Sequence, residues 1–140
     1  MSVGEKVKQQ IELKGKTTAL ERIYIEGLDK NPQLIKNAEL PDIEKFDLIV
    51  FGAPVWAFSL SPAMIELLKR TKSLENKKLL LFVTQTFPFK WMGGNRALKQ
   101  LTSLCTAKGG KVAETGIVNW SSRKREKMIR EIAERFGKSV

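Results

Sequence analysis

Two kinds of apolar pattern alternate along the chain. Asp47-Leu48-Ile49-Val50-Phe51-Gly52 and Leu79-Leu80-Leu81-Phe82-Val83-Thr84 are unbroken apolar runs of strand length. Such runs mark strands covered by helices on both faces. Leu20-Glu21-Arg22-Ile23-Tyr24-Ile25 mixes apolar with charged side chains and predicts a partly exposed strand towards a sheet edge. Val112 to Trp120 predicts a weaker strand, with Val112, Ile117, Val118 and Trp120 at its apolar positions.

Between the strands the period becomes helical. Ser61 before Pro62 is an N-cap followed by proline at the first helical position; Met64, Ile65, Leu67 and Leu68 form the apolar side, and Lys69 and Arg70 close the helix. From Asn95 to Lys108, the residues Ala97, Leu98, Leu101, Leu104 and Cys105 make one stripe that stops at Gly109-Gly110, a pair suited to a left-handed cap. Ser122 to Gly137 aligns Met128, Ile129, Ile132, Ala133 and Phe136, while Val3, Val7 and Ile11 mark a first helix ending near Gly15. Alternating strands and amphipathic helices predict an α/β fold: a three-layer, doubly wound parallel sheet with four recognisable strands, one domain over residues 1–140. In such sheets ligands bind at the carboxyl ends of strands, here the loops after Phe51 and after Thr84.

Composition narrows the chemistry. With 42% hydrophobic and 29% charged residues, the chain is ordinary globular sequence, neither disordered nor collagen-like. The stretch Leu48 to Ile65 is interrupted by Gly52, Pro54 and Pro62, so no membrane span is expected. Charged residues follow the first methionine without an apolar leader, which predicts a cytoplasmic protein. The absence of histidine removes Ser-His triads and most zinc sites. Cys105, the single cysteine, forbids an internal disulfide and falls on an apolar stripe, as a buried inert thiol would. Asp42, Glu44 and Asp47 cluster at a strand entrance without the further ligands a metal needs.

Charge is uneven. Residues 1–60 carry eight basic and nine acidic groups, whereas residues 61–140 carry seventeen and six, so an electrostatic partner of the second half should be acidic. Arg123, Lys124, Arg125, Lys127 and Arg130 could suggest nucleic acid, but Glu126, Glu131 and Glu134 interrupt them and no aromatic stacking pattern lies beside them. A solvated basic helix face is the commoner explanation.

The first loop places Trp56 and Phe58 between a buried strand and a helix N-terminus. These aromatics either cover a planar ligand or cap the core. The second loop alternates Phe87, Phe89 and Trp91 before Gly93-Gly94, and such a surface calls for a ligand, a partner or a second subunit to cover it.

Phe46-Asp47-Leu48-Ile49-Val50-Phe51-Gly52-Ala53-Pro54-Val55-Trp56-Ala57, followed by Ser61-Pro62, resembles the third strand and flavin loop of the flavodoxin-like family. Leu79 to Thr84, the Gly93-Gly94 turn, the helix to Lys108-Gly109 and the strand from Val112 resemble its fourth strand, second flavin loop, fourth helix and fifth strand. The resemblance spans residues 20–137 and implies FMN as cofactor. Pro54, Val55, Trp56 and Ala57 would hold one side of the ring, and Thr84, Gln85, Thr86 and Phe87 the other. Trp56 would stack on it and the backbone near Gln85 would meet its pyrimidine edge. The implied function is electron transfer or reduction of a small acceptor, with no catalytic side chain required because the cofactor carries the chemistry. The basic second half suits an acidic redox protein, ferredoxin-like for example, as partner.

The chain departs from the family at its start, where members carry an apolar strand and a Ser/Thr/Gly-rich phosphate loop. Those loop positions here are Met1, Ser2, Val3 and Gly4, which leaves Ser2 with the first helix N-terminus, or a second subunit, to replace the loop. In the family order 2-1-3-4-5 the missing strand lies between those placed at Leu20 and Asp47. The Leu20 strand could move over, another chain could supply a strand, or an N-terminal piece could lie outside this sequence. Open edges of this kind imply self-association into a homo-oligomer. The alternative function is a flavodoxin-like module without cofactor, working in protein interaction or assembly.

Overall fold

In the computed structural model, which describes residues 2–23, 31–56, 59–86 and 93–140, the two apolar runs become neighbouring strands. The elements in chain order are α1 (Val3–Glu12), a 3-10 helix (Pro32–Asn37), β1 (Leu48–Trp56), β2 (Ser59–Leu60), α2 (Pro62–Arg70), β3 (Lys78–Gln85), α3 (Gly94–Ala107), β4 (Lys111–Asn119) and α4 (Arg125–Lys138). The sheet order is β2-β1-β3-β4. β1, β3 and β4 are parallel, with Leu48 opposite Lys78 and Pro54 opposite Thr84 on one side of β3, and Gln85 opposite Asn119 on the other. β2 pairs antiparallel with the end of β1, Val55 opposite Leu60.

The unbroken apolar character of β3 follows from its place. Leu79, Leu80, Leu81 and Val83 have no exposed surface, because both edges are paired and both faces are covered. Residues alternate between two cores. Leu79, Leu81 and Val83 join Ile49, Phe51 and Ala53 beneath α2 and α3. Leu80 and Phe82 join Val118 beneath α1 and α4, where Val3, Val7, Ile11, Ile129, Ile132 and Phe136 supply the helical faces. The two helical layers around the sheet make the expected three-layer, doubly wound architecture.

The helix ends follow local chemistry. Ser61 Oγ accepts from the Met64 amide at 3.4 Å ahead of Pro62, and Gly109 adopts the left-handed conformation (φ 90°) that ends α3, with the Gly110 amide donating to the Cys105 carbonyl at 3.0 Å. The segment before β1 is held by two cations. Arg70 donates to the carbonyls of Ile35 (2.9 Å), Lys36 (2.5 Å) and Ala38 (2.6 Å), closing the 3-10 helix onto α2. Lys77 is buried and its Nζ donates to the carbonyl oxygens of Glu44, at 2.6 Å, and of Phe46.

The strand expected at Leu20 is not formed among the described residues. Residues 16–23 carry no ladder to the sheet, and Tyr24 and Ile25 lie outside the described residues. Glu21 and Arg22 account for this: a slot buried on both faces would desolvate two charges. The segment stays at the surface, where Arg22 forms an ion pair with Glu5 and Ile23 reaches the core beneath α2 and α3. The fourth strand is instead the two-residue β2. No helix among the described residues is long and apolar enough to cross a membrane.

Phe136 is fully buried and its ring lies 6.4 Å from that of Phe82, joining α4 to the central strand. Truncation by Phe136→Ala should therefore lower the unfolding free energy by about 3–5 kcal/mol in urea denaturation; a loss below about 1 kcal/mol would show that this core is not packed as described.

Candidate functional site

Because β1, β3 and β4 are parallel, their carboxyl ends lie together. β1 ends at Pro54-Val55-Trp56, β3 at Thr84-Gln85 and β4 at Asn119, with the Trp120 amide donating to the Gln85 carbonyl at 2.7 Å. A cavity of about 980 Å³ opens there and continues along the edge of β1 that faces away from β3. Its volume lies at the upper end of the range for ligand sites, roughly 300–1,000 Å³.

Six of the residues singled out from the sequence, Ser2, Pro54, Val55, Thr84, Gln85 and Thr86, line this one cavity. Trp56 is half-buried at the end of β1, where its carbonyl accepts from Ser59 Oγ at 3.3 Å. Ala57 and Phe87, together with Phe58, Phe89 and Trp91, lie outside the described residues.

The second loop is seated where α3 begins. Gly93 has φ 117°, and a Cβ placed on Gly94 would stand 2.1 Å from Gln85 Oε1, so glycine lets the helix start directly against the buried Gln85 side chain. From the same helix, Gln100 Oε1 accepts from the Leu60 amide at 2.8 Å, fixing the β1–β2 hairpin over the sheet.

At the other side of the cavity stands the N-terminus of α1. Ser2 is its N-cap: its Oγ accepts from the Glu5 amide at 3.2 Å and from the Arg22 guanidinium at 3.3 Å. Arg22 also binds the Glu5 carboxylate and, chiefly through that hydrogen bond, holds its carboxyl below the usual range. A hydroxyl, a guanidinium and a carboxylate thus gather at one helix end, where the helix dipole favours negative charge. Arg22 was read from the sequence only as part of a strand; its role here depends on the fold-back of residues 16–23.

Trp120 is a second residue whose position was not foreseen. β4 stops at Asn119, so the Trp120 ring escapes the sheet, is 43% exposed and lines the cavity. Arg125 sits 4.7 Å over the ring and donates to the Trp120 carbonyl at 3.1 Å. The turn residues Ser121-Ser122 were the available signal that the strand ends before the tryptophan.

The remaining candidates take structural positions. Asp42 Oδ1 accepts from the Glu44 amide at 3.0 Å and Glu44 Oε1 from the Lys72 amide at 3.3 Å. Among the described residues no cluster of His, Cys, Asp and Glu could hold a metal ion. On α4, Lys127 faces Glu131 at 3.9 Å, and Arg135 reaches across to Glu114 on β4 at 2.7 Å. Cys105 is fully buried, and burial pushes its thiol up to about 12.

No protein-family model matches the chain, and no curated protein matches its sequence. Solved structures do match in fold. The flavodoxin of Fusobacterium nucleatum bound to flavin mononucleotide is 14% identical with a TM-score of 0.63, covering 97% of this chain and 86% of its own. Flavodoxin 2 of Bacillus cereus, in its oxidised form, is 12% identical with a TM-score of 0.64, covering 99% and 89%. An azoreductase of Bacillus anthracis is 14% identical with a TM-score of 0.56, covering 99% and 90%. The chain has the flavodoxin-like α/β fold.

A thiol raised by burial is neutral in the folded state. The stability this contributes is complete below the unfolded value of about 8.5 and is lost as pH rises towards the folded value. At pH 8 the native protein should hold on the order of a thousandfold less Cys105 thiolate than the unfolded chain, so Ellman's reagent should label it only after urea is added. Rapid labelling without urea would place the thiol at the surface.

Proposed function

We propose that this chain is an FMN-binding protein that transfers electrons or reduces a small acceptor. The observation that carries the proposal is the convergence of Pro54, Val55, Thr84, Gln85 and Thr86, from two separate strand ends, on one cavity that also reaches the N-terminus of α1. The fold shared with a flavodoxin bound to flavin mononucleotide supports the same reading.

The donor set suits the cofactor in parts. Pro54 and Val55 offer an apolar edge, the half-buried Trp56 an aromatic face, and Thr84 and Thr86 hydroxyls beside backbone amides, a combination fitted to a flat ring with one polar rim. Ser2 and Arg22 offer hydrogen-bond donors to a phosphate, and Arg22 neutralises Glu5, whose carboxylate would otherwise repel it. FMN, when bound, supplies reversible electron transfer. The chain's own residues bind and orient the ring and limit its contact with water; none of them needs to donate or accept a proton. The excess of basic over acidic groups in residues 61–140 suits docking of an acidic protein partner.

A second reading, a cofactor-free interaction module, is favoured by one feature. The Arg22 guanidinium is already paired with the Glu5 carboxylate, whose negative charge opposes a phosphate at this helix end.

Titration of the protein with FMN, followed by quenching of flavin fluorescence, separates the two. Saturable binding at micromolar or tighter affinity is expected, weakened about two- to tenfold by Trp56→Ala through lost stacking. Arg22→Ala should weaken it about ten- to hundredfold through a lost charge-assisted hydrogen bond. No quenching at millimolar FMN would overturn the proposal and leave the interaction module.

A further inference from the structure

Trp120 stands just beyond the point where its strand would have buried it. Val118, two residues earlier, has no exposed surface in the core beneath α1 and α4, and strict alternation would carry Trp120 to the same face. β4 ends at Asn119 instead, so the indole stays exposed and lines the cavity beside Thr84, Gln85 and Thr86. Aromatic rings with a few polar groups beside them are the usual lining of small-molecule sites.

The residue is held firmly. Its amide donates to the Gln85 carbonyl at 2.7 Å and its carbonyl accepts from Arg125 at 3.1 Å. The turn beyond it is closed by Asn119 Oδ1, which accepts from the Ser121 amide and hydroxyl, and by Ser122 Oγ, which accepts from the Lys124 amide. Little ordering is left for a ligand to impose. The Arg125 guanidinium lies 4.7 Å over the ring; because Trp120 lines the cavity and Arg125 does not, the cation backs the indole and leaves its other face turned to the cavity. That charge is not neutralised at short range, since the Glu126 carboxylate stands 3.8 Å away, beyond hydrogen-bond distance. Arg123 and Lys124 beside it are exposed and form no ion pair among the described residues.

We infer that this cation-backed indole is a binding site for a small planar aromatic anion, a ring that carries a carboxylate or sulfonate directly. The flat face selects an aromatic ring, stacked with an offset on the indole. A cation that draws on the indole's π-electrons from behind leaves the cavity face less negative, which favours an electron-rich or anionic guest and disfavours a cationic one. Arg123, Lys124 and Arg125 against Glu126 add a local positive field with the same preference. Thr84 and Thr86 bring hydroxyl donors to the same cavity. An aliphatic anion has the charge without the flat face, and a neutral arene has the face without the charge. This inference goes beyond flavin binding and does not rest on it: the site belongs to the end of β4, and its ligand carries its charge on the ring itself.

The test titrates the isotope-labelled chain, without flavin, with the naphthoate anion, read by NMR at the Trp120 indole N–H and the amides of the Asn119–Arg125 turn. Saturable shifts centred on these signals are expected. The uncharged carboxamide of the same ring system should bind about three- to tenfold more weakly, and cyclohexanecarboxylate at least about tenfold more weakly. Trp120→Leu should weaken naphthoate binding at least about tenfold and Arg125→Gln about three- to tenfold, with unchanged amide spectra elsewhere showing that both variants fold. Equal binding of the carboxamide would reveal an unselective apolar wall and overturn the proposal. So would the absence of saturable shifts, or an unaltered affinity in Trp120→Leu. FMN, added last, separates this inference from the flavin reading. Naphthoate shifts that persist beside bound FMN are expected; displacement by FMN would make Trp120 part of the flavin's own site and overturn a separate one. Naphthoate binding with no FMN binding would overturn the flavin reading alone.

Discussion

The structure depends on the pairing of β3 along both of its edges. Hydrogen bonding to β1 on one side and β4 on the other, with helices above and below, removes Leu79, Leu80, Leu81 and Val83 from water entirely. Burying such a run requires every backbone group along it to be satisfied, and the parallel ladder does that. Parallel strands in turn need helical crossovers, which α2 supplies between β1 and β3 and α3 between β3 and β4, both on one face of the sheet. The same parallelism brings the carboxyl ends of β1, β3 and β4 to one side, which is why Pro54, Thr84 and Trp120 meet although they are far apart in sequence.

What β3 has, β1 lacks. Among the described residues its second edge is paired only at Val55 and Trp56, and the cavity beside it is continuous with the space at the strand ends. The candidate flavin site and the space along the β1 edge are therefore two ends of one cavity. At the upper end the decisive groups are Ser2, Glu5 and Arg22: a capping hydroxyl, a carboxylate with its carboxyl held below the usual range, and the guanidinium responsible for that. Whether a phosphate can displace Glu5 from Arg22 distinguishes a flavin protein from an interaction module built on the same frame.

Much of this was legible in the residues. The apolar run at Leu79 is the doubly covered strand that its pattern indicates, whereas the run at Leu48 is a strand fully buried on one face and only partly covered on the other; Ser61-Pro62 starts a helix and Gly109 ends α3 as its spacing indicates. The likeness of the Phe46–Ala57 stretch to a flavin loop pointed to the fold that the solved structures share. Other features depend on contacts between distant residues. Leu20 and Ile23 read as strand positions, yet the charges of Glu21 and Arg22 between them hold the segment outside the sheet. β2 is two residues long and too short to have a period. Arg70 and Lys77 look like surface cations and instead bind carbonyls more than thirty residues away, which no local pattern reports. Trp120 was one residue beyond its strand, and that step moved it from the core to the rim of the site.

The central claim is that β3 is paired along both edges while β1, among the described residues, is paired along one over most of its length, and native-state hydrogen exchange tests it most directly. The amides of Leu79 to Val83 in β3 should exchange only through global unfolding. Along β1, protection should alternate with a period of two between Ile49 and Ala53, slow where an amide faces β3 and fast where it faces the cavity. Uniform slow exchange along β1 would contradict the account, because it would mean that the second edge is already paired.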